Sequence, residues 1–278
     1  MIDRLALGLL GKPLAWRIGR ALYMRSREEY GNEIDTNGEA ALIQAVAAAN
    51  RSVDALRFWD VGGNLGDWSA VALAATHPAQ RCAIDVFEPV PAAADHIEQR
   101  FAGHPDLRLH RIALSDAPGT GLFEIVSPTG GTNALVDREH AGAGTIEVTI
   151  DTGDAVRARG DHSEIHLIKI DAEGHDLAIL KGLRDTLSAG AAQCVQFEYN
   201  HRWIGTGASL HQVFALIAAL PYVIAKVGKD GFDILPCWNP EADRFFEKNY
   251  VLIREDRVAA IGARRCIWNA SNVLVAAR

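Results

Sequence analysis

The stretch that decides the fold runs from Arg57 to Ala75 and reads RFWDVGGNLGDWSAVALAA. An apolar run ends in Asp60 and Val61, a glycine-rich bend follows at once, and a helix-like segment comes after the bend. Glycine lets the backbone turn sharply and approach a ligand closely, and the start of a helix offers unpaired N–H groups to an anion. The bend is therefore either a structural turn or a cradle for a ligand, and its neighbours along the chain must decide between the two.

Short apolar runs alternate with helix-like stretches from the bend onward. The apolar runs lie at 57–61, 82–87, 107–113, 165–170 and 193–198, and the helix-like stretches lie at 66–76, 91–101, 176–188 and 209–219. This alternation predicts an α/β fold, with a mostly parallel sheet and helices on both of its faces. Two β-like segments between residues 120 and 151 flank a Gly-rich loop, which predicts an inserted hairpin with a mobile loop at 127–144, near the substrate.

Composition limits the function classes. The 278 residues are 49% hydrophobic and 23% charged, which is typical of a packed globular protein. A formal net charge of −7 disfavours a general nucleic-acid binder, which would need a clustered excess of Lys and Arg. The four cysteines show no metal-type spacing and are expected to be reduced thiols of a cytoplasmic protein.

The first 50 residues are predicted to form an N-terminal helical extension, followed by one main domain over 51–278. Residues 1–27 carry six basic side chains against one acidic one, with apolar residues between them. Lys12 and Pro13 interrupt the apolar part, so the segment does not have the layout of a signal peptide. It either packs on the main domain or over its site, or lies as a basic amphipathic helix on an anionic membrane surface, at the inner face.

The spacing of polar residues after the first strands indicates an adenosine-type cofactor. Gly62, Asn64 and Gly66 form the pattern D-x-G-x-N-x-G, which differs from the G-x-G-x-x-G of dinucleotide sites. Glu88 ends the second strand, where an acid can accept hydrogen bonds from both ribose hydroxyls. The third strand ends with Ala113, Leu114, Ser115 and Asp116, which are expected to border an adenine.

Titratable side chains crowd the ends of the fourth and fifth strands. Asp171, Glu173 and His175 follow the fourth strand, and Glu198 ends the fifth. Groups pressed together shift each other's pKa, which suits proton transfer, and carboxylates with a histidine also suit a divalent metal. The sequence leaves the choice between a base and a metal open.

These residues together resemble the FkbM family of S-adenosylmethionine-dependent methyltransferases. The matching segments occur in family order over roughly residues 55 to 254: FWDVGGNLGDWS, VFEPVP, ALSDAPG, TIDTGDAV, LIKIDAEGHDLAILKG, VQFEYN and NYVLI. The resemblance implies a class I methyltransferase (Rossmann-like) fold with a seven-stranded sheet whose last strand is antiparallel. It also implies methyl transfer, usually to a hydroxyl oxygen of a sugar, glycolipid or natural product, so the expected partner is a small-molecule or glycan acceptor.

The resemblance also implies roles for individual residues. The methionine end of S-adenosyl-L-methionine would be surrounded by Asp60, Gly62, Gly63, Asn64 and Gly66, with Gly63 standing where alanine is frequent. Glu88 would hold the ribose, and Asp171 with Glu173 would face the reacting centre. We expect Asp171 or Glu173 to act as the base, with His175 second and Glu198 third, and we expect a Gly66→Val change to block the cofactor without unfolding the sheet.

Two other functions stay open at this point. A nicotinamide-dependent oxidoreductase is disfavoured by the glycine spacing, and a non-catalytic glycan-binding protein on the same fold is disfavoured by the retained cofactor residues. Trp203 and Trp238 are candidates for stacking on a sugar ring.

Overall fold

The computed structural model describes residues 2–27, 34, 36–125, 134–136, 144–161 and 163–277. The helices are α1 (Ile2–Ser26), α2 (Glu39–Ala49), α3 (Asp67–Ala75), α4 (Pro91–Arg100), α5 (Gly153–Arg159), α6 (Asp176–Lys181), α7 (Arg184–Ser188), α8 (Leu210–Ile217) and α9 (Val258–Ile261). The strands are β1 (Ala55–Val61), β2 (Arg81–Phe87), β3 (Leu107–His110), β4 (Ala113–Leu114), β5 (Gly119–Glu124), β6 (Ala134–Val136), β7 (Thr145–Asp151), β8 (Ile165–Ile170), β9 (Ala192–Tyr199), β10 (Tyr222–Gly228), β11 (Gly231–Ile234), β12 (Lys248–Arg254), β13 (Arg264–Trp268) and β14 (Leu274–Ala276).

The main sheet has the strand order β14-β13-β11-β10-β12-β9-β8-β1-β2-β3. Strands β3, β2, β1, β8 and β9 run parallel, and β12 is inserted antiparallel between β9 and β10. The predicted class I methyltransferase-like arrangement, with its antiparallel late strand, is therefore confirmed. The carboxyl ends of the five parallel strands meet at one edge of the sheet, which is where ligands bind in open α/β folds.

The predicted number of seven strands is wrong, because the described residues form a sheet of ten. The extra strands β11, β13 and β14 extend the sheet beyond β10. They are 4, 5 and 3 residues long, which is too short for a clear alternation of apolar and polar residues. Pairing of β11 with β10 covers a strand edge that would otherwise be open, and β13 and β14 continue the sheet from β11.

The predicted hairpin between residues 120 and 151 is confirmed as part of a second, four-stranded sheet. Its order is β4-β7-β5-β6, and β5 pairs antiparallel with both β6 and β7. Most of the loop predicted at 127–144 lies outside the described residues. The short parallel pair of β4 with β7 joins this sheet to the carboxyl edge of the main one.

Buried side chains cover both faces of the main sheet. One core contains Phe197 and Leu180, and the other contains Phe58 together with Leu42 and Val46 of α2. Residues 39–49 thus pack in the same core as β1, while the proposed domain boundary at residue 50 stays a prediction. The single helix predicted at 176–188 is interrupted between α6 and α7, where Asp154 takes both partners of one helical hydrogen bond. Asp154 N–H donates to the Gly182 carbonyl at 2.9 Å, and Asp154 Oδ1 accepts from Thr186 N–H at 2.8 Å.

Helix α1 bends at Gly11, whose φ of 69° and ψ of 157° leave the helical region. Pro13 follows within the first turn after the bend, where its missing N–H removes no helical hydrogen bond. The end of the helix packs on the main domain, since the Tyr23 hydroxyl donates to Glu241 at 2.7 Å and the Tyr23 ring contacts Phe246. In the described parts of the chain, no helix has the length and apolar character that a bilayer span requires.

The cysteines contribute free thiols. Cys82, Cys194 and Cys266 are buried, whereas Cys237 is exposed.

Candidate functional site

The glycine-rich loop joins β1 to α3 at the carboxyl edge of the sheet. The backbone N–H groups of Gly62 and Gly63 both donate to the Phe87 carbonyl, at 3.0 and 3.1 Å, and Asp171 N–H donates to the Val61 carbonyl at 3.0 Å. Gly62 has a φ of 79°, and a Cβ there would lie 2.0 Å from the Asp171 carbonyl oxygen. The loop is therefore held against the ends of β2 and β8, and only glycine fits at residue 62.

Glu88 is fixed by two backbone N–H groups at the end of β2. Its Oε2 accepts from Asn64 N–H and its Oε1 accepts from Val90 N–H, each at 2.8 Å. Asn64 reaches this position with a φ of 47°. Burial raises the pKa of Glu88 to about 7, even though both hydrogen bonds favour the carboxylate. Each carboxylate oxygen keeps one lone pair for a further donor.

A cavity opens between this loop and the ends of β2, β3 and β8. Eight of the residues predicted from the sequence line it: Gly62, Asn64, Glu88, Ala113, Leu114, Asp171, Glu173 and His175. The opposite wall is apolar and is formed by Ile112, Ala113, Leu114, Phe123 and Ile179. Because Phe123 belongs to β5, the inserted sheet contributes directly to this cavity.

The other predicted glycines face away from the cavity. A Cβ on Gly63 would lie 2.3 Å from a Val86 methyl group, and a Cβ on Gly66 would lie 2.6 Å from the Phe101 ring. Gly66 also has a φ of 77°. The expectation that Gly66→Val blocks a ligand without affecting the fold is therefore wrong, because the new side chain meets the protein's own core.

Ser115 and Asp116 also lie outside the cavity lining. The Ser115 hydroxyl lies 2.8 Å from Nε2 of His175 and 3.1 Å from Oδ1 of Asp116. Burial lowers the pKa of His175, which favours its neutral form. Ser115 therefore holds His175 from outside the cavity lining, and its role toward a ligand stays a prediction.

Four carboxyl groups lie together beyond β8 and β9. Glu173 forms an ion pair with Arg202 at 3.0 Å, while burial and the nearby Asp171 raise its pKa to about 7. Burial, Asp171 and Asp176 hold the pKa of Glu198 well above its usual value. The Glu198 carboxylate accepts from Asn200 Nδ2 at 2.7 Å and does not line the cavity. Of the predicted bases, Glu173, Asp171 and His175 face the cavity and Glu198 does not.

Lys169 is the central cation of the site, and the sequence analysis did not assign it a role. Its Nζ lies 3.3 Å from Oδ2 of Asp171 and 3.6 Å from Oδ1 of Asp60. Burial alone would lower the pKa of Lys169, but these two carboxylates raise it above its usual value. The sequence feature that could have pointed to Lys169 is its position as a charged residue inside the mostly apolar run IHLIKI.

Asp60 is fully buried between β1, β8 and α3. Its Oδ2 accepts from the Ser69 hydroxyl at 2.7 Å, whereas Oδ1 has no hydrogen-bond partner among the described residues. Burial raises the pKa of Asp60, although Lys169 acts in the opposite direction. Asp60 and Lys169 therefore support the loop from beneath and do not face the cavity.

A second, open cleft of about 780 Å³ adjoins the first cavity, and Glu173 and His175 line both. Its other polar lining residues are Asp116, Lys181, Arg202 and Thr206. A molecule in the cleft can therefore approach the same two titratable groups as a molecule in the cavity.

The two tryptophans suggested for sugar stacking lie elsewhere. Trp203 is completely buried and donates from Nε1 to the Glu198 carbonyl at 3.0 Å, so it is a packing residue. Trp238 is partly exposed, contacts the His211 ring and lines neither the cavity nor the cleft. Among the described residues, no group of three or more His, Cys, Asp or Glu side chains is arranged so that it could hold a metal ion.

A family model described as the methyltransferase FkbM domain matches residues 60–224, which is more than half of the chain. The chain belongs to the FkbM methyltransferase family. The matched range contains the glycine-rich loop, Glu88, the carboxyl cluster and the second cleft. The family resemblance drawn from the sequence motifs is confirmed.

One curated relative is the hexuronic acid methyltransferase AglP of Haloferax volcanii, which is 26% identical over 167 residues. The match covers 60% of this chain and 65% of that protein, so the chain spans just under two thirds of its length. Among solved structures, methyltransferase FkbM from Methylobacillus flagellatus matches with a TM-score of 0.48 and 14% identity, covering 82% of this chain and 57% of the other. An O-methyltransferase from Bacillus cereus in complex with SAH matches with a TM-score of 0.43 and 10% identity, covering 91% and 96%.

Proposed function

We propose that this member of the FkbM family transfers a methyl group from S-adenosyl-L-methionine to a hydroxyl oxygen of a sugar-containing acceptor. One observation carries the proposal: two spaces share Glu173 and His175 as lining residues. The first space is the cavity beside the glycine loop and Glu88, and the second is the open cleft next to it. A cofactor in the first space and an acceptor in the second would meet at two groups able to take a proton.

The cavity suits S-adenosyl-L-methionine on chemical grounds. Glu88 keeps lone pairs for the ribose hydroxyls, and the apolar wall around Ala113, Leu114 and Phe123 suits an adenine ring. The carboxylates of Asp171 and Glu173 suit the positive charge of the methionine end. When bound, the cofactor would supply an electrophilic methyl group on its sulfonium.

Glu173 is the base that we favour. A hydroxyl has a high pKa, so it needs a positioned acceptor for its proton while the new C–O bond forms. Glu173 has a pKa of about 7, and Arg202 holds its carboxylate at the junction of the two spaces. Asp171 is the second candidate, and His175, kept in place by Ser115, is the third.

The acceptor proposed here is a sugar, and a uronic acid is the first one to test. The relative from Haloferax volcanii is named a hexuronic acid methyltransferase. The cations Lys181 and Arg202 line the cleft of this chain, where they would attract a carboxylate on the acceptor.

The test combines calorimetry with a transfer assay. S-Adenosyl-L-methionine is titrated against the protein in parallel with NAD⁺, and labelled S-adenosyl-L-methionine is then incubated with uronic acid glycosides and matching neutral glycosides, with Mg²⁺ and with EDTA. We expect binding of the sulfonium cofactor alone and label transfer to a hydroxyl of the acidic glycoside. The EDTA arm decides whether the carboxyl cluster works with a divalent metal.

Each alternative has its own outcome in this experiment. Binding of NAD⁺ instead of S-adenosyl-L-methionine would favour an oxidoreductase. Glycoside binding with no cofactor binding would favour a non-catalytic glycan-binding protein. Transfer to nitrogen or carbon would keep the methyltransferase and refute the hydroxyl acceptor.

A further inference from the structure

The exposed side of α1 carries a stripe of large apolar side chains. Leu14, Ile18 and Leu22 follow one another at four-residue spacing and therefore lie along one helix face. Their exposures are 44%, 42% and 64%. Large apolar residues that line up on one exposed face mark an interaction surface, whereas single ones do not.

The C-terminal end of the same helix is docked on the main domain. The Arg20 guanidinium lies 5.4 Å from the Phe246 ring centre and 5.5 Å from the Trp16 ring centre. One turn further on, the Tyr23 hydroxyl donates to Glu241 at 2.7 Å. These contacts attach the end of the helix to the main domain, whereas Leu14, Ile18 and Leu22 remain exposed, as does Trp16 with an exposed fraction of 64%.

The charge of this segment is opposite to that of the rest of the chain. Residues 12–26 contain Lys12, Arg17, Arg20 and Arg25 and no acidic residue, although the whole chain has a net charge of −7. Arg17 comes three residues after Leu14, and Arg25 comes three residues after Leu22, so both cations flank the stripe. A basic helix with an exposed apolar stripe matches an anionic surface that also offers hydrocarbon.

We propose that α1 binds the surface of an anionic membrane. Leu14, Ile18 and Leu22 would enter the boundary between headgroups and acyl chains, and Arg17 and Arg25 would contact lipid phosphates. Pairing of this stripe with that of a second copy is less favourable, because it would bring the basic residues of two helices together. The acidic body of the protein would then point away from the lipid.

The place where α1 docks also bears on the acceptor, a point that rests on the proposed function. Phe246, which Tyr23 contacts, lies two residues before the start of β12, and Lys248 of β12 pairs with Tyr199 at the end of β9. The helix therefore docks at the same sheet edge as the carboxyl cluster. Membrane binding through α1 would hold the cleft near the lipid headgroups, which suits a lipid-linked sugar acceptor.

The experiment is co-sedimentation of the full-length chain with vesicles. Vesicles of phosphatidylcholine alone are compared with equimolar phosphatidylcholine and phosphatidylglycerol, at low and high salt. We expect binding to the anionic vesicles only, and weaker binding at high salt. The variant Leu14→Ser/Ile18→Ser/Leu22→Ser should lose at least roughly tenfold in affinity, because it removes the buried hydrocarbon.

Charge is tested separately. Arg17→Glu/Arg25→Glu should weaken binding by at least about 25-fold, since each cation near an anionic surface contributes roughly fivefold. The matched controls are Arg51→Glu/Lys229→Glu for charge and Ile267→Ser/Val273→Ser for exposed apolar surface, and both should bind like the unchanged protein. Thermal melts and calorimetry with S-adenosyl-L-methionine show whether every variant is folded.

Three results would overturn the proposal: equal binding to neutral vesicles, no binding to either vesicle, or unchanged binding by both α1 variants. A fourth such result would come from light scattering without lipid. If the unchanged protein is a dimer and the triple serine variant is a monomer, the stripe binds a second copy of the chain and not a membrane. Vesicle binding does not depend on methyl transfer, so it can fail while the proposed activity succeeds, and the reverse also holds.

Discussion

Replacing Lys169 with methionine removes the cation that lies between Asp60 and Asp171 while keeping a side chain of similar length. Asp60 is fully buried, and its Oδ1 is 3.6 Å from the Lys169 ammonium with no hydrogen-bond partner among the described residues. The variant would therefore leave a buried carboxylate without a compensating charge. Removing one partner of a buried ion pair costs about 3–5 kcal/mol, which is a large part of the typical stability of a domain.

The same geometry sets the size and the pH dependence of the effect. For a domain of this size, about 4 kcal/mol corresponds to a drop in Tm of roughly 10 °C. Burial already raises the pKa of Asp60, and losing Lys169 raises it further. The folded variant then binds more protons than the unfolded chain, so its stability is highest at low pH and falls as the pH rises through the folded pKa. The deficit relative to the unchanged protein should be smaller at about pH 5 than at about pH 8.

Thermal unfolding followed by circular dichroism at both pH values measures these quantities. Lys229→Met, at an exposed position, is the matched control and should shift Tm by no more than about 2 °C. Adding Asp60→Asn to Lys169→Met removes the unpaired charge and should restore most of the lost stability. A Tm of Lys169→Met equal to that of the control, or a double variant no more stable than the single one, would refute this account of the buried cluster.

Three further predictions concern the cavity and the glycine-rich loop beside it. Glu88→Gln should weaken S-adenosyl-L-methionine binding about 10- to 100-fold by calorimetry. The affinity of the unchanged protein should fall as the pH drops through about 7, where the Glu88 carboxylate is protonated. Equal affinities of the variant and the unchanged protein would show that Glu88 does not hold the ribose. Glu173→Gln should lower kcat by about 10²- to 10⁴-fold. In the unchanged enzyme, kcat/KM should rise with pH to a plateau above about 7, where Glu173 is deprotonated. A variant with near-normal kcat would exclude Glu173 as the base. Gly66→Val should destabilise the fold by about 2–5 kcal/mol in denaturant melts, because backbone strain is added to a clash with Phe101. Gly103→Val, at a φ of 82° with no atom within 4 Å of its Cβ position, isolates the strain, and equal losses at the two glycines would contradict the clash.

The outcome at individual residues shows how far spacing can predict a site. Gly62, Asn64, Glu88, Asp171, Glu173 and His175 line one cavity because each follows a parallel strand, and the ends of parallel strands meet at one edge. Asp60, Gly63 and Gly66 share the same motif but face the core. A motif gives positions along the backbone, whereas the direction of each side chain depends on what packs behind the loop.

The sequence by itself determined the alternation of strands and helices, the mostly parallel sheet, and the set of strand ends that carry polar residues. These features follow from local periodicity and from glycine and proline positions, which act over a few residues. Tertiary structure alone decided that Lys169 neutralises Asp60, that Ser115 supports His175, that Arg202 holds Glu173, and that the sheet continues through β11, β13 and β14. Each of these depends on residues far apart in the chain, whose burial and charge act on each other only after the fold has brought them within a few ångströms.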